Sequence, residues 1–303
     1  MKRTVVTFLV SYDAEYLKIS LPRVYPHVDR ITLALDRERL TWKGHKYKLP
    51  AFFFDWVKEI DVDKKITIYE DTFFLSGKGP LELDSRQRQM AAEFAGMDDT
   101  WHIQVDADEY VLNFPELLKV LRKDEQTQCD REGVLYLGKW ISLFKQDENG
   151  FFYVDNGEEY EKVPLAASYP KYIAARKIVC KKEVITDVYL VHQTFAREYD
   201  SLKRKFESWG HSNDFDTNSY LQLWQAVDRH NYFYVSNFHP NYHKAWKRLQ
   251  YSEARDVKEF AAKYSDIMAA RSLQASKGPK EKGNAFSGFL VRLVRKARRS
   301  LRL

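Results

Sequence analysis

Short apolar runs alternate with helically spaced segments over the first third of the chain. Residues 4–10 form a continuous apolar run of the kind buried on both faces of a sheet, and residues 30–35 form a second that stops at Asp36. Runs at 65–69 and 100–105 repeat the pattern. Two segments between them, 14–21 and 86–95, have helical spacing, the later one behind Asp84 or Ser85 as a cap. Strands alternating with helices predict an α/β fold whose mixed, mostly parallel sheet is flanked by helices. The polar, basic stretch 41–50 interrupts it as a loop.

After a helix at 115–122, strand-like runs return at 133–144, 151–154, 172–179 and 187–192, with 155–170 expected as loop. From 196 to 270 the spacing turns helical, and 271–285 is rich in Lys, Gly and Pro, the composition of a linker. The expected organisation is an α/β domain at 1–195, a helical C-terminal extension at 196–270, a linker at 271–285 and a last segment at 286–303.

Composition sharpens that last segment. The chain has 303 residues, 44% hydrophobic and 30% charged, which describes a folded globular protein with a formal charge of +6. Ten Lys or Arg follow residue 270 against one acid, Glu281, so the first 270 residues are slightly acidic, net −3. A body of that charge lacks the basic groove that nucleic acid requires, and no nucleic-acid partner is expected. Within 286–303, Phe286, Phe289, Leu290, Leu293, Val294, Ala297 and Leu301 make an apolar helical stripe, and six bases fill much of the rest. Such a helix suits an anionic membrane surface, where each base contributes about 1 kcal/mol. A helix packed on the body, or an RNA-binding arm, has the same composition. The first strand carries no cleavage signal, no apolar run spans a bilayer, and Cys129 and Cys180 are far apart. These features lead us to expect a cytoplasmic protein, peripheral on the inner face of the cell membrane.

The candidate chemistry centres on Trp101-His102-Ile103-Gln104-Val105-Asp106-Ala107-Asp108-Glu109, an apolar strand running into acids. Acids at the carboxyl end of a parallel strand lie where open α/β sheets bind ligands. Asp106 and Asp108, one residue apart, can share a hard divalent cation that bridges a diphosphate. The same spacing also occurs in solvated turns that cap a helix. Arg86 and Arg88 open the preceding helix, and Arg86, spaced with Met90 and Phe94, is the better candidate for gripping phosphate. His192 ends a strand and so reaches the sheet edge. A second Asp-x-Asp, Asp214 to Asp216, follows Trp209 and His211 and reads as a helix cap. His239 and His243, separated by Pro240, read as a packed turn.

Together VTFLVSYDAEYL, ITLALD, SRQRQMAAEFA and WHIQVDADEYV resemble glycosyltransferases of the GT-A fold, similar to glycosyltransferase family 2, over roughly residues 1–195. Tyr12-Asp13 stands where the family has Asn-Glu, and Asp36 precedes Arg-Glu-Arg in place of an acidic-Gly-Ser turn. The resemblance implies a nucleotide-sugar donor, a UDP-sugar foremost, and a Mn²⁺ or Mg²⁺ ion. In it Asp108 ligates the ion, Asp106 faces the ribose or a metal water, and Tyr12, Asp13 and Asp36 sit near base and ribose. His192 then ligates the metal or places the base. An inverting transfer needs a general base, for which Asp155, Glu158, Glu159 and His192 are the candidates. The expected acceptor is a lipid-linked or cell-envelope glycan. A nucleotidyl or phosphoryl transferase, and an inactive membrane-tethered scaffold, are the alternatives.

Overall fold

A computed structural model describes residues 1–127, 133–156, 159–208, 210, 214–242 and 244–276. Strand β1 (Arg3–Val10) leads into α1 (Leu17–Val24) and returns as β2 (Arg30–Asp36); α2 (Phe53–Ile60) precedes β3 (Ile66–Asp71), and α3 (Pro80–Ala95) precedes β4 (Thr100–Gln104). These four strands are parallel in the order 3-2-1-4, each strand registered on its neighbour. The chain winds outward from β1 to β3, then jumps back to place β4 on the other side of β1. That reversal opens a crevice beyond the carboxyl ends of β1 and β4, where ligands bind in open α/β sheets. The fold class read from the pattern therefore stands: a mixed α/β sheet with a parallel half and covering helices. The apolar runs drive it, since Val6, Phe8, Ile31, Leu33 and Ile103 are fully buried between helices.

The other half of the sheet mixes antiparallel pairs with one long parallel pair. Strand β5 (Glu109–Val111) and α4 (Phe114–Thr127) lead to β6 (Val134–Gln146), β7 (Gly150–Val154), β8 (Glu161–Ser168), the short pair β9 (Tyr172–Ala174) and β10 (Lys177–Ile178), and β11 (Lys182–His192). β8 lies between β4 and β6, antiparallel to both, although residues 155–170 read as loop. Pro164 hides it: a proline donates no ladder hydrogen bond, and here the pairing shifts register opposite it, between Tyr136 and Leu137. The helix expected at 86–95 starts earlier, at Pro80, whose missing N–H costs nothing in a first turn behind Gly79.

Helices α5 (Tyr199–Ser208) and α6 (Thr217–Ala226) follow, then β12 (Leu249–Glu253), an antiparallel edge strand on β7 within a stretch whose spacing reads as helical, and α7 (Val257–Ser276). Phe206, Tyr220 and Trp224 share one aromatic core with Phe144, Phe152 and Trp246. Asp216 caps α6, accepting from the amides of Asn218 and Ser219, as its spacing predicted. Trp209, His211 and His243 lie outside the described residues, as does the basic segment 286–303. Met1–Ala262 form one compact unit and Lys263–Leu303 a second, of which the end of α7 is described. Among the described residues no helix is long and apolar enough to cross a membrane.

Candidate active site

A cleft of about 380 Å³ opens at the carboxyl edge of β1 and β4, lined among others by Tyr12, Asp13, Asp36, Asp106, Asp108 and His192. Six expected residues thus meet in one place. Their meeting depends on β5, which pairs antiparallel with β11 and sets Glu109 opposite His192, while the Gln193 amide donates to the Asp108 carbonyl at 2.9 Å. The imidazole lies 4.7 Å from the Trp140 ring, with Nε2 3.6 Å from Asp108 Oδ2.

The two motif carboxylates are surrounded by cations. Asp106, one-third exposed to the cleft, pairs with Arg88 at 3.0 Å and Arg176 at 2.7 Å. Burial would push its carboxyl up, but Arg176 and Arg88 outweigh that and hold it at about 2. A single oxygen of buried Asp108, Oδ2, accepts from Arg197 and from Lys205, the latter at 2.9 Å. Burial again opposes ionisation, and Lys205, Arg197 and His192 together keep that carboxyl well below the usual range. Glu109 completes the frame from a fully buried position, accepting from Trp140 Nε1, the Asp106 amide and Arg176.

This geometry bears directly on the divalent ion. Such an ion needs about six oxygen ligands at close range, and Mg²⁺ takes one or two from carboxylates. Here both carboxylates are committed to guanidinium and ammonium groups, and among the described residues no cluster of three or more His, Cys, Asp or Glu is arranged to hold an ion. A dication against Asp108 Oδ2 would stand beside two positive side chains; even single like charges 4 Å apart repel by roughly 4 kcal/mol at an effective dielectric near 20. The donor set does not fit the expected Mn²⁺ or Mg²⁺.

Several expected residues hold other positions. Asp36 lines the cleft, but its Oδ1 accepts from the amides of Glu38 and Leu40 and its Oδ2 from those of Phe73 and Phe74. It ties two loops to the end of β2 and has little left for a ribose. Arg86 does not line the cleft; it donates to the Thr72 carbonyl, and Arg88 is the arginine of α3 that reaches the motif. Helical phase decides this, because Arg88 lies one turn from buried Asp84, with which it pairs at 2.7 Å, whereas Arg86 points to another face. Asp155 pairs with Arg248, and exposed Glu159 with Lys247, so neither lines the cleft; Glu158 lies outside the described residues. Tyr12 and Asp13 stay at the floor, with Asp13 Oδ2 3.7 Å from Arg197. Burial pushes the Asp13 carboxyl up despite Arg197, and lifts the Tyr12 hydroxyl out of reach of ionisation.

Four side chains escape sequence reasoning: Glu161, Arg176, Arg197 and Lys205. Glu161 begins β8, registered opposite Trp140, and accepts from Trp246 Nε1 at 3.2 Å. It is a cleft carboxylate on the side away from β1, and burial raises its carboxyl against the pull of Trp246 and His192. Trp140, His239, Tyr242 and Trp246 line the same side. His239 is the packed turn expected of it, accepting from the amides of Asn241 and Tyr242. Arg197, five residues after His192, is the one addition with a nearby sequence cue. Arg176 sits in the β9–β10 turn beside Ala175, whose φ of 48° no spacing announces.

The chain matches no protein-family model and no curated protein. Among solved structures it overlaps S. aureus TarS 1-349 at 13% identity and a TM-score of 0.32, covering 48% of this chain and 37% of that one. It overlaps 4-diphosphocytidyl-2C-methyl-D-erythritol synthase at 13% and 0.33, covering 56% and 76%. A mannose-1-phosphate geranyltransferase from Thermus thermophilus overlaps at 12% and 0.28, covering 83% and 76%. The chain thus spans little more than a third of the TarS structure, and overlaps this loose carry no functional argument.

Proposed function

We propose that this chain is a glycosyltransferase that moves a sugar from a nucleotide diphosphate donor to a hydroxyl of a glycan or lipid-linked acceptor. One observation carries the reading: a cleft at the carboxyl edge of β1 and β4 holds a cluster of ion-paired arginine and lysine side chains on one side, and on the other a half-buried carboxylate among aromatic rings. The cluster suits a diphosphate. The rings suit the apolar faces of a sugar, and Glu161 is placed to take a proton. The nucleoside would lie over the end of β1, near Tyr12 and Asp13. The acceptor hydroxyl attacks the anomeric carbon while its proton passes to Glu161. The bond from that carbon to the diphosphate oxygen breaks, and its electron pair stays on the diphosphate. A single displacement of this kind inverts the anomeric centre.

Binding tests the reading first. Among UDP, GDP, CDP and dTDP, with and without their sugars, at least one is expected to raise the melting temperature, because a ligand at 100 times its Kd stabilises by about 2.7 kcal/mol. Its sugar conjugate should then be hydrolysed slowly, releasing nucleoside diphosphate. A flat panel sinks the proposal, and release of pyrophosphate would assign a nucleotidyl transferase instead.

The acceptor class follows from the C-terminal segment. Its composition supports binding to anionic lipid, which would bring the cleft to an acceptor held in a membrane. Removing residues 286–303 is expected to move the protein from vesicles of anionic lipid to the supernatant, with donor hydrolysis unchanged. Equal sedimentation of the two forms would refute this role.

A further inference from the structure

The geometry points to Arg176 and Lys205 as the groups that bind the donor's diphosphate and take up the charge left on it, with Arg197 holding Asp108 behind them, so that donor binding and sugar transfer proceed without a divalent ion. The inference rests on the reading of the ligand as a nucleotide diphosphosugar and adds how its charge is met.

Three observations carry it. The carboxylates that would hold an ion are already committed: Asp106 to Arg88 and Arg176, Asp108 to Arg197 and Lys205. The cations nevertheless have donors to spare. Arg176 Nη1 is buried and has no hydrogen-bond partner among the described residues, a state that folded proteins relieve with ordered water or a bound ligand, and the Lys205 ammonium uses one of its three N–H groups on Asp108. Finally, Arg176 and Lys205 lie where the ligand would be. Arg176 and Lys205 line the cleft beside Asp106 and Asp108, and Arg197 stands behind Asp108 with its side chain fully buried.

The carboxylates then have a different task. Glu109 and Asp106 clamp the Arg176 guanidinium 5.7 Å from the Trp140 ring centre. Asp108 and the Gln193 carbonyl hold Arg197 over Tyr16. Donors held in this way need no rearrangement when charge grows on the leaving oxygen, and a guanidinium presents two N–H groups to phosphate oxygens at once. As the bond to the anomeric carbon breaks, the electron pair that stays on the diphosphate meets positive charge already in place. In this role Asp106 and Asp108 are positioning residues.

The test is calorimetric titration of the full chain with UDP, GDP, CDP or dTDP, whichever the thermal panel selects, in excess EDTA and again in Mn²⁺ or Mg²⁺. The Kd is expected to agree within about threefold between the two conditions. Arg176→Ala should weaken binding by about tenfold or more, with Arg176→Lys between it and the parent protein. Should Arg176→Ala fail to fold, Lys205→Met serves in its place, with the same direction expected. Binding that disappears in EDTA and returns with the metal would overturn this inference and leave the glycosyltransferase reading intact. Unchanged binding in folded Arg176→Ala and Lys205→Met would overturn it as well. If no nucleoside diphosphate binds with metal or without, the underlying reading fails, and this inference with it.

Discussion

Replacing Asp108 with Asn is expected to abolish transfer and also to unfold the protein at a distinctly lower temperature. Asp108 is 3% exposed, and one carboxylate oxygen holds Arg197 and Lys205. Removing one member of a buried pair leaves the others charged and uncompensated, at about 3–5 kcal/mol. In a chain of this size that lowers the melting temperature by roughly 6–20 °C. Denaturant titration checks the size, and a second substitution checks the cause. Lys205→Met in the Asp108→Asn background removes one stranded charge and should recover part of the loss, whereas independent effects would simply add. The loss should be the same in EDTA and in Mn²⁺, since it comes from side-chain pairing. Stability equal to that of the parent protein would show that the carboxylate does not hold this cluster together.

Glu161→Gln should separate chemistry from folding. Losing a general base reduces turnover by about 10²–10⁴-fold, while donor affinity, set on the other side of the cleft, should stay within about twofold. Stability should move the other way. Burial raises the Glu161 carboxyl above its unfolded value, so this group's favourable contribution to folding is present below the unfolded pKa and is lost as pH rises through the folded one. At neutral pH the half-buried charge is a cost, and Gln, which carries none, should leave the protein as stable or more so. The activity of the parent protein should fall as pH drops through the raised pKa of Glu161, because only the ionised carboxylate accepts a proton. That acid limb should be missing from the residual activity of Glu161→Gln. A residue that merely packs against Trp246 would leave the pH profile unmoved.

How much of this was legible in the chain depended on the range of each interaction. The parallel strands were readable because strands covered on both faces must be apolar throughout, and Val6, Phe8 and Leu33 announce that burial. The place of Asp106 and Asp108 followed, since a strand's last residue fixes where its successor lies. His192 was found by the same rule. Strand β8 was not found, because Pro164 and the small pair Ala166-Ala167 look like a loop until a register shift accommodates the proline. Glu161, at its head, was lost with it, and Asp155 and Glu159 were candidates only through their position in the same stretch. Arg86 looked better than Arg88 because its spacing with Met90 and Phe94 suggested an inward face. Asp84 shows which face is inward, and the pairing of Asp84 with Arg88 tells it only once α3 is docked.

The sequence by itself determined the α/β alternation, the acidic turn at the end of β4, the histidine at the end of β11 and the division between an acidic body and a basic C-terminus. Each is a local property, carried by burial period or by charge counted along the chain. Tertiary structure alone decided which cations those acids pair with. Arg176 reaches Glu109 across 67 residues, Arg197 reaches Asp108 across 89 and Lys205 reaches it across 97. Neither the 2-residue period of a strand nor the 3.6-residue period of a helix carries information over such distances. Whether an Asp-x-Asp motif faces a metal ion or a ring of arginines is set by the strands and helices that close around it.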